Sequence, residues 1–152
     1  MRYALNFWIN MEKTMSTRNN IPTINDVIIP IEEFAVVQEN VIFKEALEEM
    51  SYSNIGIVCI VDEKNNLLGI ITDGDIRRKL LKVQKPFSAF LIDNALDHAA
   101  LNPLTIYATT TLKEAVSLME KKGIWDMPVI NEDGKLIGLL HLHPVVKALL
   151  QL

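Results

Sequence analysis

Residues 44–81 read KEALEEMSYSNIGIVCIVDEKNNLLGIITDGDIRRKLL, and residues 113–150 read KEAVSLMEKKGIWDMPVINEDGKLIGLLHLHPVVKALL. The two stretches align at a fixed offset of 69 positions without a gap, and 10 of the 38 aligned pairs are identical. Unrelated sequences of ordinary composition would share about two or three. The chain therefore contains an internal repeat, which fixes its architecture and creates a cleft between two similar halves.

Helical and strand patterns follow in the same order within both copies. The segment FKEALEEM and its counterpart carry apolar residues at i, i+3, i+4 and i+7, the spacing of one helix face. Apolar runs follow at 57–61 and 127–130, and their short length and β-branched content predict buried strands. Beyond the turn residues of DEKNN and NEDGK, LLGIIT and LIGLLH predict returning strands. The two helix faces consist of Phe43, Ala46, Leu47 and Met50, and of Leu112, Ala115, Val116 and Met119.

Each copy is completed by an opening strand and a closing helix. We expect the opening strands near 34–37 and 104–107, and short helical segments at TINDVI and IDNALDHA before each unit. The closing helix of the second copy contains Pro144, which a first helical turn tolerates. Each unit is then strand–helix–strand–strand–helix, in an α/β fold of the α+β kind. Neither half can bury both faces of so small a sheet, so we expect them to pack with pseudo-two-fold symmetry.

Composition limits the classes of function. The chain has 152 residues, 49% of them hydrophobic and 22% charged, which suits one compact domain. Its net charge of -4 and pI of about 5.4 argue against a nucleic-acid partner. No apolar run approaches the ~18 residues of a membrane span, and no signal peptide is recognisable. The single cysteine, Cys59, lies in an apolar run, which predicts a core residue and a reducing, cytoplasmic setting.

The segment GIITDGD, from Gly69 to Asp75, carries a family resemblance. With the repeat, it resembles a pair of CBS domains, the Bateman module, over roughly residues 22–152. The resemblance implies a first CBS motif at 22–90, a second at 91–152, and an N-terminal extension at 1–21 that is either a helix or a tail. It also implies binding of an adenosine nucleotide or related ligand, with the threonine contacting phosphate or ribose and the aspartate accepting from ribose hydroxyls.

Physical chemistry agrees with that site. A strand ending at Thr72 and turning into a helix offers free backbone N–H groups, which attract phosphate. Asp75 can accept two ribose hydroxyl hydrogen bonds, and Arg77 or Arg78 can add charge-assisted bonds to phosphate. The alternative is purely structural, with Asp73 or Asp75 capping the helix, Thr72 ending the strand and both arginines solvated.

The longer string TDGDIRR narrows the resemblance. It is similar to the CBS pair at the C-terminal end of arabinose 5-phosphate isomerases, and LHLH in the second copy favours these relatives over sugar nucleotidyltransferases that carry a related pair. The candidate ligands are therefore AMP, ADP, ATP, S-adenosylmethionine and a CMP-sugar. No catalytic domain of either enzyme class is recognisable in the sequence, so we expect either a free-standing module or a piece of a larger enzyme. An isomerase or nucleotidyltransferase domain is the candidate catalytic partner.

The second copy departs from the ligand motif. His141 replaces Thr72 and Pro144 replaces Asp75, and a proline offers ribose no carboxylate. We expect one competent site for each pair. The resemblance further suggests a base pocket from the turn before each core strand. Its candidates are Ile55, Asp126, Met127 and Pro128.

Two histidines of the second copy, His141 and His143, are weaker candidates. If both lay in a strand they would share a face, and either could contact a phosphate or another anion. A metal site that also uses His98 is not predicted, because nothing in the sequence brings His98 near them.

No catalytic constellation is recognisable, although a hydrolase that uses His141 or His143 stays open. The sequence predicts a non-catalytic regulatory module that binds a nucleotide or nucleotide-sugar in the cleft. Such a module would be linked to sugar-phosphate or nucleotide-sugar metabolism and would form a homodimer through its helices. The alternative is a dimerisation module whose ligand site has decayed.

Overall fold

The computed structural model describes residues 23–150. The predicted extension at 1–21 lies outside this range. Eight strands are β1 (Ile29–Pro30), β2 (Ala35–Gln38), β3 (Ile57–Val61), β4 (Leu67–Thr72), β5 (Ala100–Leu101), β6 (Ile106–Tyr107), β7 (Asp126–Ile130) and β8 (Leu136–His141). Five helices are α1 (Phe43–Ser53), α2 (Asp73–Leu80), α3 (Phe87–Leu91), α4 (Leu112–Lys122) and α5 (Leu142–Leu150). Short 3-10 turns, Ile24–Asp26 and Ala95–His98, precede the two repeats.

The first long helix of each repeat forms for the same reasons in both copies. In α1 the apolar face buries Phe43, Ala46 and Met50, and α4 buries its matching residues. Each helix ends at a residue in the left-handed conformation, Asn54 with a φ of 54° and Gly123 with a φ of 63°. Asparagine and glycine are the residues that adopt this conformation at least cost, so they end the helices at equivalent positions.

Two four-stranded sheets are built from exchanged strands. The order is β2-β3-β4-β5 in the first sheet and β1-β8-β7-β6 in the second. Strand β1 precedes repeat 1 but pairs antiparallel with β8 of repeat 2, and β5 precedes repeat 2 but pairs with β4 of repeat 1. Each repeat therefore contributes three strands to its own sheet and one to its partner's.

Two glycines that are identical in the repeats make this exchange possible. A Cβ on Gly138 would lie 2.5 Å from the Ile28 side chain and 2.7 Å from the Ile29 carbonyl oxygen. A Cβ on Gly69 would lie 2.9 Å from Ala99 Cβ and 3.1 Å from the Ala100 carbonyl oxygen. Both sites lack room for a side chain because the backbone of an incoming segment crosses there.

The halves share one of three apolar cores. Each repeat has its own core between helices and sheet, and a third lies between the sheets. Cys59 belongs to the third core, where burial, with a smaller contribution from the Asp126 carboxylate, raises the pKa of its thiol to about 12. The shared core consists of Phe34, Ile57, Cys59, Val61, Leu136 and Leu139.

The predicted order of elements and the fold class are confirmed. The strand over 57–61 and both returning strands match their predicted bounds, and the opening strands lie within two residues of theirs. Strands β1 and β5 and helix α3 were not predicted from the sequence, and none of them is longer than five residues.

Candidate functional site

The threonine and aspartate of the GIITDGD segment contact each other at the start of α2. The backbone N–H and the hydroxyl of Thr72 donate to Asp75 Oδ2, at 3.1 and 2.7 Å. In return, the Asp75 N–H donates to Thr72 Oγ1 at 3.2 Å. This is a capping box, in which threonine and the third helical residue satisfy each other's orphan N–H groups. The structural role considered for these residues is thus realised.

The Asp75 carboxylate keeps capacity for a ligand. Its Oδ1 accepts a hydrogen bond from the Arg78 guanidinium at 2.6 Å. A carboxylate offers about four lone-pair sites, and the capping bonds and Arg78 occupy three. Partial burial alone would raise the pKa of Asp75, but the hydrogen bonds from Thr72 and Arg78 outweigh it and hold that pKa below its ordinary value of 3.8. Asp75 therefore accepts hydrogen bonds as an anion at neutral pH.

A pocket of about 360 Å³ lies on one side of this motif, between α1 and the start of α2. Two predicted residues, Ile55 and Asp73, line it together. Gly56 is also in the wall, and a Cβ there would lie 2.4 Å from Asp73 Oδ2. The wall of the pocket is therefore tight at this point, where the Gly56 backbone lies close to the Asp73 side chain.

A groove of about 480 Å³ lies on the other side of α2 and was missed by the sequence analysis. It runs between α2 and the 3-10 turn before repeat 2. One difference between the copies could have indicated this groove from the sequence, since Lys79 aligns with Ala148. The groove is lined by Asp75, Arg78, Lys79, Lys82, Val83, Asp97 and His98.

In repeat 2 the equivalent strand end carries a different pair. His141, at the end of β8, lies with its Nδ1 2.7 Å from Asp126 Oδ1, so the two predicted residues contact each other. His141 and His143 do not share a strand face, because β8 ends at His141 and His143 belongs to α5. Pro144 lies in the first turn of α5, as predicted.

The other predicted residues are dispersed. Met127 and Pro128 are buried in β7, and Met127 belongs to the core of repeat 2, so the Met127 side chain lines no open pocket. Arg77 and His143 are exposed. Among residues 23–150, no group of three or more His, Cys, Asp and Glu side chains is arranged to hold a metal ion. Over the same range, none of the helices combines the length and apolarity needed to cross a bilayer.

The comparisons with known proteins agree with the repeat. The sequence model of the CBS domain matches residues 24–82 and 98–150. Arabinose 5-phosphate isomerase GutQ of Salmonella typhi is 31% identical over 107 residues, which are 68% of this chain and 31% of that protein. Inosine-5'-monophosphate dehydrogenase of Aquifex aeolicus is 34% identical over 105 residues, which are 68% of this chain and 20% of that protein.

Solved structures share the fold at nearly full length. The structure of CBSX2 in complex with AMP has a TM-score of 0.75 and 28% identity, and the match covers 86% of this chain and 97% of that one. CBSX2 from Arabidopsis thaliana gives a TM-score of 0.73 at 27% identity, covering 87% of this chain and 96% of that one.

The chain spans about a third of the length of several curated relatives. The match to the uncharacterized protein RP505 of Rickettsia prowazekii, 29% identical, covers 84% of this chain and 38% of that protein. The resemblance to isomerases of the GutQ type is confirmed at the level of the CBS pair. Since the family model matches most of the chain in two successive segments, and since the two sheets exchange strands around a shared core, the chain belongs to the CBS-domain family and forms a CBS domain pair.

Proposed function

We propose that this CBS pair is a regulatory module without catalysis of its own, which binds an adenosine nucleotide or nucleotide-sugar beside Thr72 and Asp75. The observation that carries the proposal is the partly exposed Asp75 carboxylate, ionised and fixed by Thr72 at the N-terminus of α2. Its remaining acceptor capacity suits a ribose hydroxyl, and the helix N-terminus favours an adjacent phosphate.

The neighbouring Arg78 supports the same ligand class. Its side chain is 57% exposed, and its contact with Asp75 is a surface ion pair, which holds little free energy. A ligand phosphate can draw the guanidinium away because Arg–phosphate pairs form two parallel hydrogen bonds. CBSX2, which is 28% identical, is described in complex with AMP.

The ligand would act by favouring one packing of the two repeats over another. The contacts between the repeats run through the shared core and the exchanged strands, so a change at the start of α2 would reach the other repeat through β4 and β5. We place the module in the cytoplasm, linked to sugar-phosphate or nucleotide-sugar metabolism through a catalytic partner such as a sugar isomerase.

A thermal-shift screen tests this function. The panel holds AMP, ADP, ATP, S-adenosylmethionine, CMP and a CMP-sugar. A ligand at ~100 times its dissociation constant adds about 2.7 kcal/mol to stability, roughly 5 °C or more for a chain of this size. We expect a shift with at least one compound and its loss in Asp75→Ala.

Repeat 2 supplies a matched control for that variant. Glu114 forms the same capping box with Thr111, whose hydroxyl donates to Glu114 Oε2 at 2.7 Å. Glu114→Ala therefore removes an equivalent cap without touching the candidate site, and it should keep the ligand shift. Equal loss in both variants would mean that the shift reports helix capping only, and retention in Asp75→Ala would refute the site.

A dimerisation module is the second candidate. Leu81 and Leu150, just after α2 and at the end of α5, are 84% and 83% exposed. Such apolar side chains at equivalent helix ends are suited to a contact between two copies. A stable dimer that responds to no compound of the panel would favour this function over nucleotide binding.

A further inference from the structure

The groove on the outer side of α2 contains two lysines, Lys79 and Lys82, that the proposed nucleotide site does not use. Arg78, Lys79 and Lys82 line it from α2, and the 3-10 turn before repeat 2 adds His98. Within residues 23–150, neither Lys79 nor Lys82 forms a salt bridge. Three cations therefore line a groove that also contains the carboxylates of Asp75 and Asp97, and Arg78 alone among the three forms a salt bridge with one of them.

His98 is fixed at the floor of this groove. Its ring lies against Phe43 and Phe90, with centroids 4.9 and 4.6 Å away. Its Nε2 lies 2.8 Å from Asp93 Oδ2. An Nε2–H that donates to this carboxylate leaves Nδ1 as an acceptor, and Nδ1 faces Lys79 Nζ at 3.5 Å. Lys79 is therefore partly buried, with its ammonium group beside the imidazole ring of His98.

Repeat 2 shows what the same place becomes without this chemistry. The segments before the repeats correspond, since Ala95 N–H donates to the Val41 carbonyl and Ile24 N–H to that of Thr110. His98 then corresponds to Val27 and Lys79 to Ala148. Both Val27 and Ala148 pack against the core of repeat 2. In repeat 2 this position is therefore filled by apolar side chains, whereas in repeat 1 it is a groove lined by cationic side chains.

We propose that the groove between α2 and the Ala95–His98 turn binds the phosphate monoester of the ligand through Lys79 and Lys82. This inference rests on the proposed function, because Asp75 lines the groove as well as the candidate ribose site. A phosphate dianion would neutralise neighbouring ammonium groups that otherwise repel each other. At about 480 Å³, the groove has room for a phosphate and part of the attached sugar.

The ligand would then contact both the closing helix of repeat 1 and the turn that leads into repeat 2. Phosphate is shared by nucleotides and simple sugar phosphates, so the test must separate the two sources. The probes are AMP, adenosine and ribose 5-phosphate, titrated by calorimetry against the full chain.

The variant is Lys79→Gln with Lys82→Gln, and the matched control is Lys121→Gln with Lys122→Gln at the exposed end of α4. We expect the double variant to weaken AMP binding about tenfold or more, the effect of one lost charge-assisted hydrogen bond. Adenosine affinity should stay within about twofold, because a ligand without phosphate does not use the lysines. The control pair should leave both affinities unchanged.

The outcomes separate the two proposals. If the wild-type chain binds AMP and adenosine equally well, or if the variant binds AMP as tightly as the wild type, the phosphate groove is refuted and the nucleotide site stands. If the wild type binds none of the three probes, the phosphate groove is refuted, and the proposed function also fails if no compound of the thermal-shift panel binds. Binding of ribose 5-phosphate that disappears in the variant supports the groove and shows that a sugar phosphate suffices. If only AMP shows that loss, the groove is supported and the nucleoside is required.

Discussion

The two repeats carry different side-chain contacts at the same strand end. In repeat 1, β4 ends at Thr72, and the first turn of α2 holds the partly exposed carboxylate of Asp75. This carboxylate forms the capping box with Thr72 and borders the cationic groove. In repeat 2, β8 ends at His141, whose ring is bonded to Asp126, and Pro144 stands in place of Asp75. Gly69 and Gly138 are identical because both copies need room for an incoming strand at this point. Thr72 and Asp75 are instead replaced by His141 and Pro144, so the two copies differ at the candidate site.

The sheets differ as well. Strand β2 pairs with β3 over four residues, whereas β6 pairs with β7 over two, at Val129 and Ile130. Pro128 stands where repeat 1 has Cys59, and a proline has no N–H to donate to a parallel neighbour. The ladder between β6 and β7 therefore begins only after the proline. Repeat 1 therefore has the more continuous parallel ladder.

The largest expected effect is on the core of repeat 1. Phe90 of α3 is buried and packs on Phe43, with ring centroids 4.6 Å apart. Phe90→Ala should lower the free energy of unfolding by about 3–5 kcal/mol, because it removes a buried ring and leaves a cavity. Urea denaturation measures this. Phe87, on the same short helix but 57% exposed, is the control, and Phe87→Ala should cost less than about 1 kcal/mol. Similar costs for the two variants would mean that α3 is not part of the core.

The next effect tests the exchanged strands. Gly138→Ala should destabilise the chain by about 1–3 kcal/mol, because the new methyl group meets the Ile29 carbonyl and cannot be avoided by a side-chain rotation. Gly69→Ala should cost less, since its closest contacts, at 2.9 and 3.1 Å, need smaller shifts. Chemical denaturation of both variants gives the order. If Gly69→Ala proved the more damaging, β5 and not β1 would be the tighter exchange.

The smallest effect is a pH dependence of stability at the cap formed by Thr72 and Asp75. Because the folded pKa of Asp75 lies below its ordinary value of 3.8, its contribution to stability is complete above about pH 4. That contribution is lost as the pH falls through the lowered folded pKa. The difference in unfolding free energy between the wild type and Asp75→Ala should therefore become smaller as the pH falls from 5 to 3. Urea unfolding at each pH measures this difference. A deficit that stays constant with pH would show that the carboxylate charge does not matter to the cap.

Much of this fold follows from the sequence because apolar periodicity reports burial. The run from Ile57 to Val61 is fully buried, and a run of that length and composition has few alternatives to a core strand. The strands β1 and β5 could not be found in this way. Each has two residues, and each is stabilised by a partner strand far along the chain that no local pattern records.

The site was predictable in part for the same reason. The Thr72–Asp75 pair was identified because motif and helix start coincide, but the sequence could not distinguish a cap from a ligand contact, and the structure shows the cap directly. His141 and His143 would have shared a face only if the strand had continued past LIGLLH, and β8 ends at His141 as the sequence predicted. The cationic groove was missed because His98 and Lys79 lie on separate elements, and only the exchanged segment before repeat 2 brings them together.

The exchanged strand β1 also has a consequence for how the molecule folds. Ile29 pairs with Leu139, so the edge strand β1 of the second sheet and its neighbour β8 lie 110 positions apart in the sequence. Loop closure over such a separation is entropically costly and slows folding. During synthesis, β1 must wait unpaired until β8 has been made. We therefore expect the first sheet to assemble before the second. The last step of folding should be the pairing of β1 with β8.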